Sequence, residues 1–218
     1  VVRQRVVETN EGIRGEITVE IFDRFARGMR DKGYHPVEGI ITSGIREGRA
    51  LEIGPGPGYV GLEWLKRCPG AALTGLEISP EMLQLARRNA LGYGLSARAE
   101  YVEGNCMDMP FPDGSFDAVF SNGSLHEWED PVRALDEAFR VLRPGGRLFV
   151  ADMRRDVNPL VKWMIYASTK PKEIRPGFLT SMAAAYTVPE LREIAGRSRL
   201  QGVQVRPEFF GLTLTGGR

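Results

Sequence analysis

Arg49-Ala50-Leu51-Glu52-Ile53-Gly54-Pro55-Gly56-Pro57-Gly58 runs from a short apolar strand, through an acidic residue, into a turn of alternating glycines. The amphipathic residues 59–67 follow it as a helix. Glycine takes positive φ and lets a backbone approach a ligand that a Cβ would hold off, so strand, turn and helix read as the opening of a Rossmann-like nucleotide-cofactor unit. Gly56, Gly58 and Gly61 also satisfy the dinucleotide spacing GxGxxG. Three features favour another ligand. The first glycine of that triplet stands three residues beyond Ile53, whereas a dinucleotide turn follows its strand more directly. Pro55 and Pro57 have no N–H, which leaves fewer donors than a pyrophosphate cradle uses. Glu52 puts a carboxylate where a pyrophosphate would lie, which repels an anion and suits an ammonium or a sulfonium.

The chain has 218 residues, enough for one α/β domain with a real core. Its 29 basic and 28 acidic residues leave a net charge of +1, so no global field draws in nucleic acid or a membrane surface. Neither is expected as a partner. Cys68 and Cys106 lie far apart without metal-type spacing, which points to reduced thiols and a cytoplasmic protein. No apolar run reaches the roughly 20 residues of a membrane span, and Val1-Val2-Arg3 lacks a signal-peptide pattern.

Residues 15–47 read as a helical lid, with Ile17, Ile21, Phe22, Phe25 and Met29 at helical spacing before Gly33 and Pro36. The core, 48–152, alternates strands (49–53, 71–76, 99–102, 116–120, 147–151) with helices, two of which open at Ser79-Pro80 and Asp130-Pro131. That alternation implies a parallel sheet with right-handed crossovers. Residues 153–186 read as an insertion near the active site, with one helical stretch around Trp163 to Tyr166. In 187–218, the capping box Thr187-Val188-Pro189-Glu190 opens a last helix, and 202–206 and 209–214 read as closing strands.

S-adenosylmethionine is cationic and phosphate-free, and Glu52 to Gly58 resembles the first motif of the class I S-adenosylmethionine-dependent methyltransferases. Residues 104–111 and 137–146 resemble later motifs of that family, so the likeness covers about residues 20–150. It implies a Rossmann-like three-layer sandwich whose seven-stranded sheet is mostly parallel, with an antiparallel C-terminal strand. It also implies one methyltransferase domain that transfers a methyl group to a small-molecule acceptor by in-line attack. The cofactor-binding residues expected on this basis are Glu52, Gly54, Gly56, Gly58, Glu77, Ile78, Met82, Asn105, Cys106 and Asn122. Glu77, after the second strand, suits a ribose diol, although it also fits an exposed strand-end carboxylate. Ile78 and Met82 would flank the adenine. Asn105 stands where the family has an acidic residue, and its amide oxygen can still accept the adenine amino hydrogen. Cys106 is expected to contribute its backbone rather than a nucleophile.

Ser121 to Asp130 follows the fourth strand, where loops border the ligand crevice of open α/β sheets. His126 and Glu127 are its candidate proton acceptors, with packing and turn-capping as their competing roles. Trp128 reads as pocket wall or core. Arg154 and Arg155 read as a solvated pair or as partners of an anionic acceptor. No metal site is expected, and the Asp/Asn-Pro-Pro-aromatic motif of amino-methylating DNA enzymes is absent. Two other functions stay open at this level: a nicotinamide-dependent oxidoreductase using the shifted GxGxxG frame, and a non-catalytic cofactor-binding module.

Overall fold

Seven strands form one sheet in the order β3-β2-β1-β4-β5-β7-β6 in the computed structural model, which describes residues 4–7 and 16–218. They are β1 Arg49–Ile53, β2 Ala72–Glu77, β3 Ala99–Glu103, β4 Phe116–Asn122, β5 Leu142–Met153, β6 Gln201–Pro207 and β7 Gly211–Gly217. β1 to β5 run parallel, and β7 lies antiparallel between β5 and β6. The helices are α1 Glu16–Asp31, α2 Val37–Thr42, α3 Tyr59–Arg67, α4 Pro80–Gly92, α5 Pro131–Val141, α6 Pro159–Ser168, α7 Arg175–Ala184 and α8 Val188–Gly196.

The layering follows from strand alternation. Leu51 and Ile53 of β1 join a core shared with α5 and α8, while Ala50 joins a second core with α2, α3 and α4. The sheet is therefore covered on both faces, as a parallel sheet requires. The expected helix starts are present. Ser79 Oγ accepts from the Met82 N–H, the Asp130 side chain from the Arg133 N–H, and Thr187 and Glu190 form the full capping box. Each such cap contributes about 1 kcal/mol.

Several boundaries differ from the sequence reading. The stretch 15–47 is two helices, broken at Gly33 with φ of 71°; Gly15 and the Ile17 side chain lie outside the described residues. β5 begins at Leu142, because Phe116 pairs with Leu142 before an irregularity shifts the register to Ala118–Arg147. The insertion carries two α-helices rather than one. Phe209 and Phe210 lie outside the closing strand, in the turn between β6 and β7, where apolar residues mimic a strand start.

Glu52 also differs from expectation. Alternation turns it away from the Leu51 and Ile53 face and under α3, where it is only 2 % exposed. Oε2 has no hydrogen-bond partner among the described residues, and a Cβ on Gly61 would collide with it and with Leu73. Burial pushes its carboxyl up to about 8; the nearby Gly61 N–H opposes this, and the charge of Glu77 adds to it. At neutral pH Glu52 is mostly protonated, so it is not the anion-repelling group the sequence implied.

This packing carries three stability predictions. An unfolded carboxyl titrates near 4.3, so between that pH and about 8 the native state keeps a proton that the unfolded state releases. Stability should be full below that range and fall as pH rises through it; denaturant midpoints for Glu52→Gln should lose most of this slope. In α3, Gly61→Ala gains up to about 1 kcal/mol of helix propensity but incurs an overpacking cost of about 1 to 3 kcal/mol. A lower melting temperature is expected. Gly28→Ala in α1, where nothing lies within 4 Å of the added carbon, should raise it by a few degrees instead.

Candidate active site

β1 has β2 on one side and β4 on the other, so the chain reverses its direction of travel across the sheet at β1. Ligands bind outside the carboxyl ends of strands at such a switch point. A cleft of roughly 780 Å³, counting its open mouth, lies there. Ile53, Gly54 and Gly56 form one wall, Leu76, Glu77, Ile78 and Met82 another, and Gly104, Asn105, Cys106 and Met107 a third. Gly123, Ser124, Glu127, Trp128 and Phe22 of α1 complete it.

Two glycines bring backbone to the cleft for different reasons. Gly54 (φ 65°) packs so closely on the β4 turn that an added Cβ would lie 2.6 Å from the Ser124 Cβ. Gly56 (φ 51°) directs its N–H to Glu77 Oε2 at 3.0 Å. Gly58 does not line the cleft. It is the left-handed N-cap of α3, and its missing side chain leaves room for the Tyr101 hydroxyl. Its role in the structure is to permit the turn.

Glu77 is 8 % exposed, and its Oε1 accepts the N–H groups of Ile78 and Ser79, each at 3.0 Å. Burial raises its pKa, and the three backbone donors from Ser79, Gly56 and Ile78 oppose that. They also fix the carboxylate at the cleft wall, so Glu77 is not a solvated strand end. Asn105 sits at the third wall with Oδ1 accepting the Met107 N–H at 2.9 Å. That bond leaves its oxygen one further acceptor site. Burial pushes the Cys106 thiol up to about 12, which removes it as a nucleophile.

The β4 turn corrects two expectations. Asn122 is exposed and does not line the cleft; Gly123 and Ser124 do. The reason is a pair of buried hydroxyls: Ser121 Oγ donates to the Ile53 carbonyl at 2.8 Å and lies 2.7 Å from Ser124 Oγ. Trp128 Nε1 donates to the same Ser124 Oγ at 3.2 Å, which sets the indole as cleft wall. His126 is the second correction. It is 3 % exposed and lies behind the wall, where Asp152 at the end of β5 holds both its backbone N–H (2.9 Å) and its Nδ1 (3.0 Å). Glu127 is the ionisable group of this turn that faces the cleft, and its Oε1 lies 4.0 Å from His126 Nε2.

Asp152 and Ser124 were not singled out from the sequence. The available signal was positional: each lies at or just beyond the carboxyl end of a central parallel strand. Arg154 and Arg155 are both partly buried rather than a solvated pair. Arg155 pairs with Glu190 and the Ala185 carbonyl, and Arg154 Nε lies 3.5 Å from Asp156. Glu137 and Asp117 are structural, holding Arg140 with the Met109 N–H and Arg143 with the Arg49 N–H.

Comparison with known proteins agrees with this architecture. Residues 51–150 match the family model described as "Methyltransferase domain". The demethylmenaquinone methyltransferase of Thermus thermophilus is 41 % identical over 104 residues, 48 % of this chain and 46 % of that protein. The demethylmenaquinone methyltransferase of Deinococcus radiodurans is 33 % identical over 185 residues, covering 81 % of this chain and 76 % of the relative. The chain thus matches about half the length of some curated relatives and three quarters of another. A SAM-dependent methyltransferase from Aquifex aeolicus superposes with a TM-score of 0.65 at 20 % identity over 83 % of this chain and 88 % of its own, which shows the common fold. The chain belongs to the class I S-adenosylmethionine-dependent methyltransferases, with S-adenosylmethionine as its cofactor.

Proposed function

We propose that this chain transfers the methyl group of S-adenosylmethionine to a small, quinone-type acceptor in its reduced, dihydroxy form. The observation that carries the donor half is the Glu77 carboxylate, held at the cleft by three backbone N–H groups. The cleft wall includes two carboxylates, Glu77 and Glu127, and no lysine or arginine among the described residues. Such a lining suits a cation and offers nothing to a pyrophosphate, so no observation favours a nicotinamide cofactor. The acceptor class rests on the 33 % identity to a demethylmenaquinone methyltransferase over three quarters of that protein.

The residues divide by role. Glu77 accepts the ribose diol, Ile78 and Met82 sandwich the adenine, and Asn105 and the Cys106 backbone meet its edge. Gly54 and Gly56 let the amino-acid end approach the chain. When bound, S-adenosylmethionine supplies a methyl group made electrophilic by its sulfonium. A ring carbon is a good nucleophile only in the dihydroxy form and better still once a hydroxyl has lost its proton. Glu127 faces the cleft and takes that proton, while His126, clamped by Asp152, positions the turn that carries it. Alignment contributes several kcal/mol of the barrier reduction, up to about 7 to 11, and the base a further two to four orders of magnitude.

The domain reading completes the proposal. One methyltransferase domain carries 48–152 as the cofactor core, 15–47 as a lid and 187–218 as its closing helix and strands. Residues 153–186 form a cap over the acceptor: the turn Lys172–Ile174 packs on α1, and α7 packs on the turn that holds His126 and Glu127. The free thiols Cys68 and Cys106 fit a reducing, cytoplasmic setting.

Mixing the protein with S-adenosylmethionine and a 1,4-naphthoquinone lacking its ring methyl should yield S-adenosylhomocysteine only when a reductant is present. Failure to form it with any dihydroxy aromatic would sink the reading. Glu77→Ala should weaken cofactor binding by calorimetry at least tenfold, from losing hydrogen bonds to a charged group of about 1.5 to 3 kcal/mol. Glu127→Gln should lower kcat by two to four orders of magnitude while cofactor affinity changes less than about twofold. Asp152→Asn should lower the melting temperature together with kcat, as expected of a group that acts through the turn.

A further inference from the structure

α6 turns its apolar stripe outward. Leu160, Trp163 and Met164 recur at helical spacing on one face and are 65 %, 64 % and 56 % exposed, and no residue of the helix is buried. A helix of a soluble domain ordinarily sets such a stripe against the core. α6 follows the carboxyl end of β5, on the edge of the sheet where the cleft opens. Phe209, 77 % exposed, stands at the same end, where the Arg154 N–H donates to the Phe210 carbonyl at 3.4 Å.

The charge of the segment that carries this face points to one partner. Residues 157–189 contain four cations, Lys162, Lys170, Lys172 and Arg175, and a single carboxylate, Glu173, in a chain whose net charge is only +1. That carboxylate lies 3.9 Å from Arg24. A second copy of the chain would bring two such cationic segments together, which like-charge repulsion disfavours. An anionic surface meets apolar stripe and cations at once. The helix has 10 residues, too short to cross a bilayer and suited to lie in its interface.

We propose that α6 docks the protein on anionic phospholipid bilayers. Leu160, Trp163 and Met164 enter the boundary between headgroups and acyl chains, and Lys162, Lys170 and Lys172 meet the lipid phosphates. The docking supplements the quinone-type reading of the site and rests on it only for its purpose, since a quinone with a hydrocarbon tail would be presented at the edge beside the cleft. The net charge of +1 gave no reason to expect a membrane partner, and the proposal rests on a local excess of cations that a near-neutral total conceals.

Trp163 reports on the contact directly, because Trp64 and Trp128 are buried at 0 % and 5 %. With phosphatidylcholine vesicles containing phosphatidylglycerol, the full chain should co-sediment and its emission should move to shorter wavelength; with phosphatidylcholine alone it should do so far less. The triple variant Leu160→Gln, Trp163→Gln, Met164→Gln should stay in the supernatant. Replacing Lys162, Lys170 and Lys172 by Gln should weaken partitioning at least tenfold, given roughly a few-fold for each surface cation. The proposal is overturned if the parent does not sediment with anionic vesicles, if the variants sediment equally, or if Trp163 is instead covered in a dimer without lipid. Turnover of a tail-less, water-soluble reduced quinone without vesicles should be found in the parent, and the apolar-face variant should bind S-adenosylmethionine with the parent's affinity, because no residue of α6 lines the cleft. Absence of that turnover in the parent would refute the acceptor reading, while the vesicle result would stand by itself.

Discussion

Glu77 holds the site together. Its two oxygens take N–H groups from Gly56 on one strand's turn and from Ile78 and Ser79 on the next, so a single carboxylate ties the glycine turn to the start of α4. Backbone donors are the right partners for this task, because they are fixed by the fold and add no flexible side chain to the cleft. The Ser121 and Ser124 hydroxyls do the equivalent work on the other side, joining the β4 turn to the Ile53 carbonyl. The glycine turn is therefore clamped from both flanks before any ligand arrives, and preorganisation of this kind lowers the cost of binding.

Electrostatics divides the acidic residues by depth. Glu52 and Glu77 belong to neighbouring parallel strands, yet only Glu77 has three backbone donors, and Glu52 lacks a partner for one oxygen. Burial raises the pKa of both groups, and the rise is opposed by three backbone donors at Glu77 but by the Gly61 N–H alone at Glu52. His126 and Glu127 are divided in a comparable way: adjacent in sequence, one faces Asp152 in the interior and the other the cleft.

What could be read from the sequence follows this same division. The parallel strands and the three helix caps were legible because each rests on a local pattern: Ser-Pro and Asp-Pro starts and apolar strand runs; the antiparallel strand and the places of Glu77, Ile78, Met82 and Asn105 along the cleft wall came from the family resemblance. His126 was misplaced because the turn after β4 directs it to Asp152, and Glu52 and Asn122 because their positions depend on which way a side chain leaves the last residues of a strand. A shift of one residue there exchanges cleft for core. Asp152 was invisible because its partner lies 26 residues away in the turn after β4, and a long-range hydrogen bond leaves no trace in spacing. The stretch around Trp163 to Tyr166 was legible as a helix but its outward stripe was not, since periodicity records a face and not its direction.

The cap meets the rest of the molecule through Lys172–Ile174 against α1, α7 against the turn of His126 and Glu127, Arg155 against Glu190, the Arg154 N–H against the Phe210 carbonyl, and Tyr186 in the core shared with α5 and α8. The strands that build the donor cleft share no ladder with it. Substitutions in 153–186 can therefore accumulate without disturbing the register of the sheet, and the family match indeed stops at residue 150. In evolutionary terms the fold separates a part that must stay constant from one free to diverge. With 153–186 as the acceptor cap proposed above, a lineage could change the molecule it methylates by rewriting some thirty residues while the fold that handles the methyl donor is kept.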